Sequence, residues 1–257
     1  MRTPKLAALS AVALIALAGC GQATEAGGGS PAAATTSAPA DPATRIDAAA
    51  RKMDQSSFKF TIDAAGMKAE GVQHAPSKSM QLKMTAAAEG QEFTVDLVSI
   101  GEKDMYMKID LGIDPGDDPV MQGFAEGLGG WQHVSKEQAE SEFGSLARAG
   151  AQAMGASMVK GMTGLKETAP NTFTGTVDLT VNSDLDVTDE ETLKALGDKA
   201  KSIPITVTLD GEERLSSLVM EIPAAGKAKA QKATITFSDF DKVEQPKAPP
   251  ADQIKKN

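Results

Sequence analysis

Cysteine and histidine are the side chains best suited to nucleophilic, redox or metal chemistry, and this 257-residue chain has one cysteine and two histidines. Cys20 stands alone, which excludes an internal disulfide framework and a zinc site built from several thiolates. His74 and His133 lie far apart with no ligand-spaced partner, so both are expected at loop or surface positions. Two acid clusters, "DPGDDP" at 114–119 and "SDLDVTDEE" at 183–191, offer the oxygen ligands that calcium prefers. Neither has EF-hand spacing, and the second suits a helix start, where carboxylates are favoured. No G-x-S-x-G elbow and no glycine-rich phosphate loop is present. Paired carboxylates can do acid–base work, but among 35 acids such pairs carry no signal. The expectation is a protein that is not an enzyme and uses no metal and no cofactor.

The reactive group whose chemistry can be assigned is the Cys20 thiol, by its position. "MRTPK" carries Arg2 and Lys5, "LAALSAVALIALA" is apolar or small apart from Ser10, and Ala18-Gly19-Cys20 closes the run. That order is the plan of a secretory signal over 1–19, shorter than a comfortable membrane span. "LAGC", Leu17 to Cys20, resembles the bacterial lipobox, whose cysteine is diacylated on sulfur and becomes the first residue after cleavage. The expectation is lipid attachment at Cys20 and a place on the outer leaflet of the cytoplasmic membrane. Each buried methylene contributes about 0.8 kcal/mol, and two chains suffice for stable anchoring. Loss of Arg2 and Lys5 takes the net charge from −9 to −11. Such an acidic body is a poor partner for nucleic acid, which needs clustered Lys and Arg. On net charge it gains nothing from anionic lipid.

The elements behind the anchor follow from patterning. Residues 20–44 are rich in Ala, Gly, Ser, Thr and Pro with almost no large apolar side chain, too little to offset the entropy of ordering. They read as a flexible tether spanning about 27 Å. Residues 45–244 read as one domain, and 245–257 as a disordered tail. Within the domain apolar residues alternate. Phe58, Phe60 and Ile62 oppose Lys59, Thr61 and Asp63. The same period recurs in "SMQLKMT", "EFTVDL", "KDMYMKID", "NTFTGTVDLT", "IPITVTLD" and "ATITFSD". Period two means half-buried strands, and short turn-rich gaps such as "EGQ" and "DGEE" mean antiparallel hairpins. Nine or ten strands are expected. Helices are predicted at 44–53, 118–129, 135–162 and 188–200, the last two opening with capping boxes at Ser135/Gln138 and Thr188/Glu191. The fold class is α+β: a large antiparallel sheet, closed as a barrel or curled around helices on one face.

Two mismatches point to an apolar cavity. So many strands present more greasy surface than a few short helices cover. Aromatics are only 4% of the chain, whereas methionine numbers twelve, and methionine adapts to irregular or variable partners. Met80, Met84, Met105 and Met107 fall on inward strand positions. Met154, Met158 and Met162 recur every four residues on the long predicted helix. The candidate lining from strands is Phe93, Val95, Met105, Met107, Val207 and Leu209. From the helix it is Phe143, Leu146, Met154 and Met158. The same pattern is compatible with an ordinary filled core. Lys227, Lys229 and Lys232 form a basic cluster suited to lipid headgroups or to protecting an edge strand.

Lipobox, tether, entry helix and strand-rich body together resemble the mycobacterial (actinobacterial) LppX/LprA/LprF/LprG lipoproteins, with the LolA/LolB carriers as distant fold relatives. The echoes are "DMYMKID" followed by "GGWQHV", "FTGTVDLT", "IPITVTLDGEERLSSLVMEI" and "KATITFSDF". The resemblance implies a curved antiparallel half-barrel with helices on its concave face. It also implies a non-enzymatic carrier that holds an acylated lipid or glycolipid and assists its transport across the cell envelope, with an envelope partner of unknown identity. The alternative is a surface-anchored interaction module with a filled core, binding a protein or cell-wall partner.

Overall fold

The structure is a computed structural model that describes residues 40–64, 66–88, 91–101, 104–112, 122–123, 129–135, 158–181, 188 and 190–255. Cys20, the signal segment, nearly all of the tether, Phe143, Leu146 and Met154 lie outside the described residues. So do the 114–119 acid cluster, most of its 183–191 counterpart, and most of the helices expected over 118–129 and 135–162.

Alternation makes the sheet. Its strands are β1 (Phe58–Ala64), β2 (Met67–His74), β3 (Ser79–Ala88), β4 (Gln91–Ile100), β5 (Asp104–Asp110) and β6 (Gln132–Val134), then β7 (Met162–Ala169), β8 (Thr172–Val177), β9 (Ile203–Leu209), β10 (Leu215–Ile222) and β11 (Gln231–Ser238). The order across the sheet is β6-β5-β4-β3-β2-β1-β11-β10-β9-β8-β7, every pairing antiparallel. Two meanders, β1–β6 and β7–β11, are thus joined through the β1–β11 pair. The sheet is open, with β6 and β7 as its two edges, so the barrel alternative is excluded.

Register puts one chemistry on each face. Phe60 stands opposite Phe237 and Gly71, Gly71 opposite Leu82, Leu82 opposite Leu97, and Leu97 opposite Met107. A one-residue slip would turn that whole row to the other face. On the polar face, Thr61, Glu70, Lys83, Asp96 and Lys108 stand in one row across five strands. Alternating charges directly opposite one another stabilise such a pairing.

Two strands break the expected alternation. In β2 the apolar-face position between Phe60 and Leu82 is Gly71; a Cβ there would lie 2.7 Å from Phe60 Cε1 and 2.5 Å from the Gln81 carbonyl oxygen. The ring of Phe60 fills the space that a β2 side chain would take. Strand β7 is a mostly exposed edge with register shifts at Thr163/Lys166 and Glu167/Ala169, and irregularity of this kind discourages further pairing. Met162 therefore opens a strand, and Met158 sits in the turn before it; neither continues the long predicted helix.

Helix α1 (Pro42–Met53) starts two residues before its expected place. Asp41 is its N-cap, accepting from the Ala43 and Thr44 amides, and Pro42 follows at the first helical position. That order is favoured because the proline lacks only an N–H that would be unpaired anyway. Arg51 and Lys52 in the last turn suit the negative end of the helix dipole. Ile46, Ala49, Ala50 and Met53 face inward, against β7, β9 and β10. Fully burying an isoleucine or methionine contributes about 1.5–3 kcal/mol. Helix α2 (Glu190–Leu196) continues as a 3₁₀ turn through Ser202, beginning at Gly197, whose φ of 54° an L side chain rarely adopts. Leu196 and Ala200 join the core of Phe58, Phe173, Leu215, Leu218 and Met220.

The segment expected to be a disordered tail, 245–257, is held at several described points, and the residues leading into it are tied down. Asp241 exchanges bonds with Ser57, its amide donating to the Ser57 carbonyl (2.7 Å) and its carboxylate accepting from the Ser57 amide (3.0 Å). Pro246 is buried. Ile254 pairs in parallel with Trp131, and the Lys255 amide donates to the Trp131 carbonyl at 2.8 Å. The chain thus travels from the middle of the sheet to the β6 edge and covers part of it.

Candidate functional site

The candidate lining residues separate into two groups. Val207 and Leu209 on β9, Met105 on β5 and Met158 belong to the main core. Val95 on β4 and Met107 on β5 belong to a second cluster with Val134, and Phe93, Met84 and Ile109 pack against it half-buried. Register builds this second cluster in rows, Met84 opposite Val95 opposite Ile109 and Ala86 opposite Phe93, while Val134 stands opposite Met105 of the main core. Strands β3 to β6 bring these side chains together because each contributes alternate residues to the same face.

Chemically the second cluster is hydrocarbon and thioether. It offers nothing that could serve as nucleophile, acid or base, and suits contact with acyl chains. Sequence reading missed Val134 because β6 has only three residues, too few to display a period. The signal was the glycine pair before "WQHV", a turn followed by alternation. Met84 and Ile109 carried the same inward register as their neighbours.

The charged groups serve turns and clamps. Arg45 on α1 reaches Glu167 (2.9 Å), Glu213 (3.1 Å) and the Asn171 side-chain oxygen (2.6 Å), and its guanidinium lies 4.9 Å from the Phe173 ring centroid. Hydrogen bonds from the Asn171 amide and Arg45 hold the Glu167 carboxyl below its usual range. Asp210 is pushed up by burial, but bonds from the Arg214 amide and guanidinium and from the Glu212 amide outweigh that and hold it low. His74 bonds Ser77 through Nδ1 (2.7 Å) at a 3₁₀ turn. His133 is exposed, with Nε2 3.1 Å from Asp104 Oδ1. Among the described residues no group of three or more His, Cys, Asp or Glu side chains is placed to hold a metal ion, and no helix is long and apolar enough to cross a membrane.

Lys227, Lys229 and Lys232 are exposed around the β10–β11 turn. Both strands are interior to the sheet, so these lysines do not guard an edge. No family model matches the chain, and no curated protein matches it.

Proposed function

We propose that this chain is a membrane-anchored carrier of an acylated lipid or glycolipid that assists transport across the cell envelope without catalysis. Cys20 would hold it to the outer leaflet of the cytoplasmic membrane. The observation that carries the reading is the apolar cluster of Val95, Met107 and Val134, distinct from the main core on the same face of the sheet and joined to it through Met84. Helix α1 packs elsewhere, against β7, β9 and β10. A half-barrel curved around helices, with acyl chains against Val95 and Met107, agrees with that separation. The energetic demand is strict: a lipid leaving the bilayer gives up about 0.8 kcal/mol per methylene, so only extended apolar contact compensates.

The test is native mass spectrometry of the chain lacking residues 1–20, purified from lipid-containing cells, with uptake of a fluorescent fatty acid measured alongside. A bound lipid mass is expected, with uptake lost in Met107→Asp. A bare mass and no uptake would refute the carrier and favour the surface-anchored module with a filled core. For the anchor, Cys20→Ala should release the protein or leave its precursor uncleaved; normal processing and membrane retention would overturn it.

A further inference from the structure

Aromatic side chains are sorted by polarity between the two faces of this sheet. Of the described phenylalanines, Phe58, Phe60, Phe173, Phe237 and Phe240 are buried in the main core, and Phe93 is half-buried on the apolar face. The chain's one tyrosine goes instead to the polar face, beside β6, and its one tryptophan immediately precedes β6. Tyr106 stands opposite Val98 on one side and His133 on the other. Trp131, two residues before His133 and just outside β6, has the spacing that alternation would put on the same face. We propose that this patch, on the β4–β5–β6 end of the polar face, binds a neutral saccharide.

The geometry carries the chemistry. The Tyr106 and His133 rings have centroids 5.1 Å apart and planes tilted by 47°, so they form two walls rather than a stack. Val98, only 4% exposed, lies opposite Tyr106; among the described strand residues it is the one fully buried apolar side chain on the polar face. An aromatic face is electron-rich and meets the C–H face of a sugar ring. Tyr and Trp suit sites that are apolar on one side and wet on the other. Sugar hydroxyls both donate and accept, and the rim supplies both partners. The Asp104 carboxylate accepts, fixed by its contact with His133. In the neighbouring row Asp96 accepts, opposite Lys108, a donor. The pairing of Ile254 and Lys255 with Trp131 fixes that residue's backbone before any ligand arrives, and such preorganisation lowers the cost of binding.

Charge and size exclude the competing partners. Asp96, Asp104 and Asp110 are balanced by Lys83, Lys108 and Lys255 around the patch, so it offers no excess of cations to a phosphate, on a chain of net charge −9. The Tyr106 and His133 ring pair falls far short of the roughly 800 Å² per side of a stable protein interface. The patch lies on the opposite face from Val95 and Met107, so the saccharide site stands or falls independently of lipid carriage.

The test uses the full chain in detergent. Trp131, the sole tryptophan, reports binding of maltohexaose or chitohexaose by its fluorescence, with calorimetry in parallel. A saturable change with at least one sugar is expected at millimolar concentration. Tyr106→Ala should weaken it about tenfold and Asp104→Asn about tenfold. Thr206→Ala, on the same face of β9, should leave it unchanged. If Tyr106→Ala fails to fold, Asp104→Asn and Trp131→Phe carry the test by calorimetry. No response to either sugar overturns the proposal, as does undiminished affinity in the patch variants. A proline-rich peptide bound through Tyr106 in place of sugar also overturns it.

Discussion

Gly71 offers a sharp test of how this sheet is packed, because two effects of opposite sign meet there. In an ordinary strand, replacing glycine by alanine restrains the unfolded chain and stabilises by about 0.5–1 kcal/mol. At position 71 the added methyl would meet the Gln81 carbonyl oxygen at 2.5 Å and Phe60 Cε1 at 2.7 Å. Real Cβ atoms essentially never come so close. The ring can turn, but the carbonyl belongs to the β3 backbone. Overpacking of this kind costs about 1–3 kcal/mol, and more where backbone must move, so Gly71→Ala should lose about 2 kcal/mol net. For a domain of this size that lowers the thermal midpoint by about 4–8 °C, read by circular dichroism. Phe60→Ala alone should cost about 3–5 kcal/mol by leaving a cavity. In the double variant the two losses should fall short of their sum by about 1–2 kcal/mol, since the alanine methyl occupies space the ring has left. A Gly71→Ala protein as stable as the parent would refute the reasoning, and so would losses that add to within about 0.5 kcal/mol.

Arg45→Ala should lower stability by about 2 kcal/mol, because it breaks charge-assisted bonds to Glu167 and Asn171 and uncovers Phe173. Solvent around both glutamates screens those pairs, so a cycle with Glu167→Gln should assign less than half of the loss to that carboxylate. Asp210 has a folded pKa below its ordinary value. Its contribution is therefore complete above the unfolded pKa, about 3.9, and is lost as pH falls through the folded value. Asp210→Asn should destabilise the protein at neutral pH and flatten the acid limb of its stability profile below about pH 4, measured by urea unfolding across pH. Ile254→Asp should detach the C-terminal segment from Trp131 and red-shift the tryptophan emission with little change in thermal midpoint.

Most of the sheet was legible because one face is wet and the other covered, which writes a period of two into each strand. Strands β3, β4, β5, β8, β9 and β11 appear at their expected places. Strand β2 was hidden because Gly71 yields its inward position to the Phe60 ring of neighbouring β1, a tertiary event with no local signature. Strand β7 was hidden because an exposed, bulged edge has no covered face to impose alternation. Methionines at 154, 158 and 162 imitated a helical stripe, yet Met162 belongs to β7. The tail has one large apolar residue, but its hold comes from backbone groups and that isoleucine, which composition does not register. Of the candidate site, the inward positions of Val95 and Met107 were readable from alternation. Their separation from Val207 and Leu209 depends on strand order across the sheet, and only the long-range β1–β11 pairing fixes that.

That pairing also governs how the chain must be born. β1 meets β2 almost as soon as both are made, but its other side waits for β11, and Lys59 finds Ser238 only after 179 further residues have been made (238 − 59). At about 5–20 residues per second the wait lasts on the order of 10–35 s. Throughout it, "FKFTID" is an unsatisfied template, alternating, rich in β-formers and open to any passing strand. Lys59 and Asp63 on its polar face then act as gatekeepers that discourage the wrong neighbour. The step that joins the two meanders has high contact order, so it should set the folding rate.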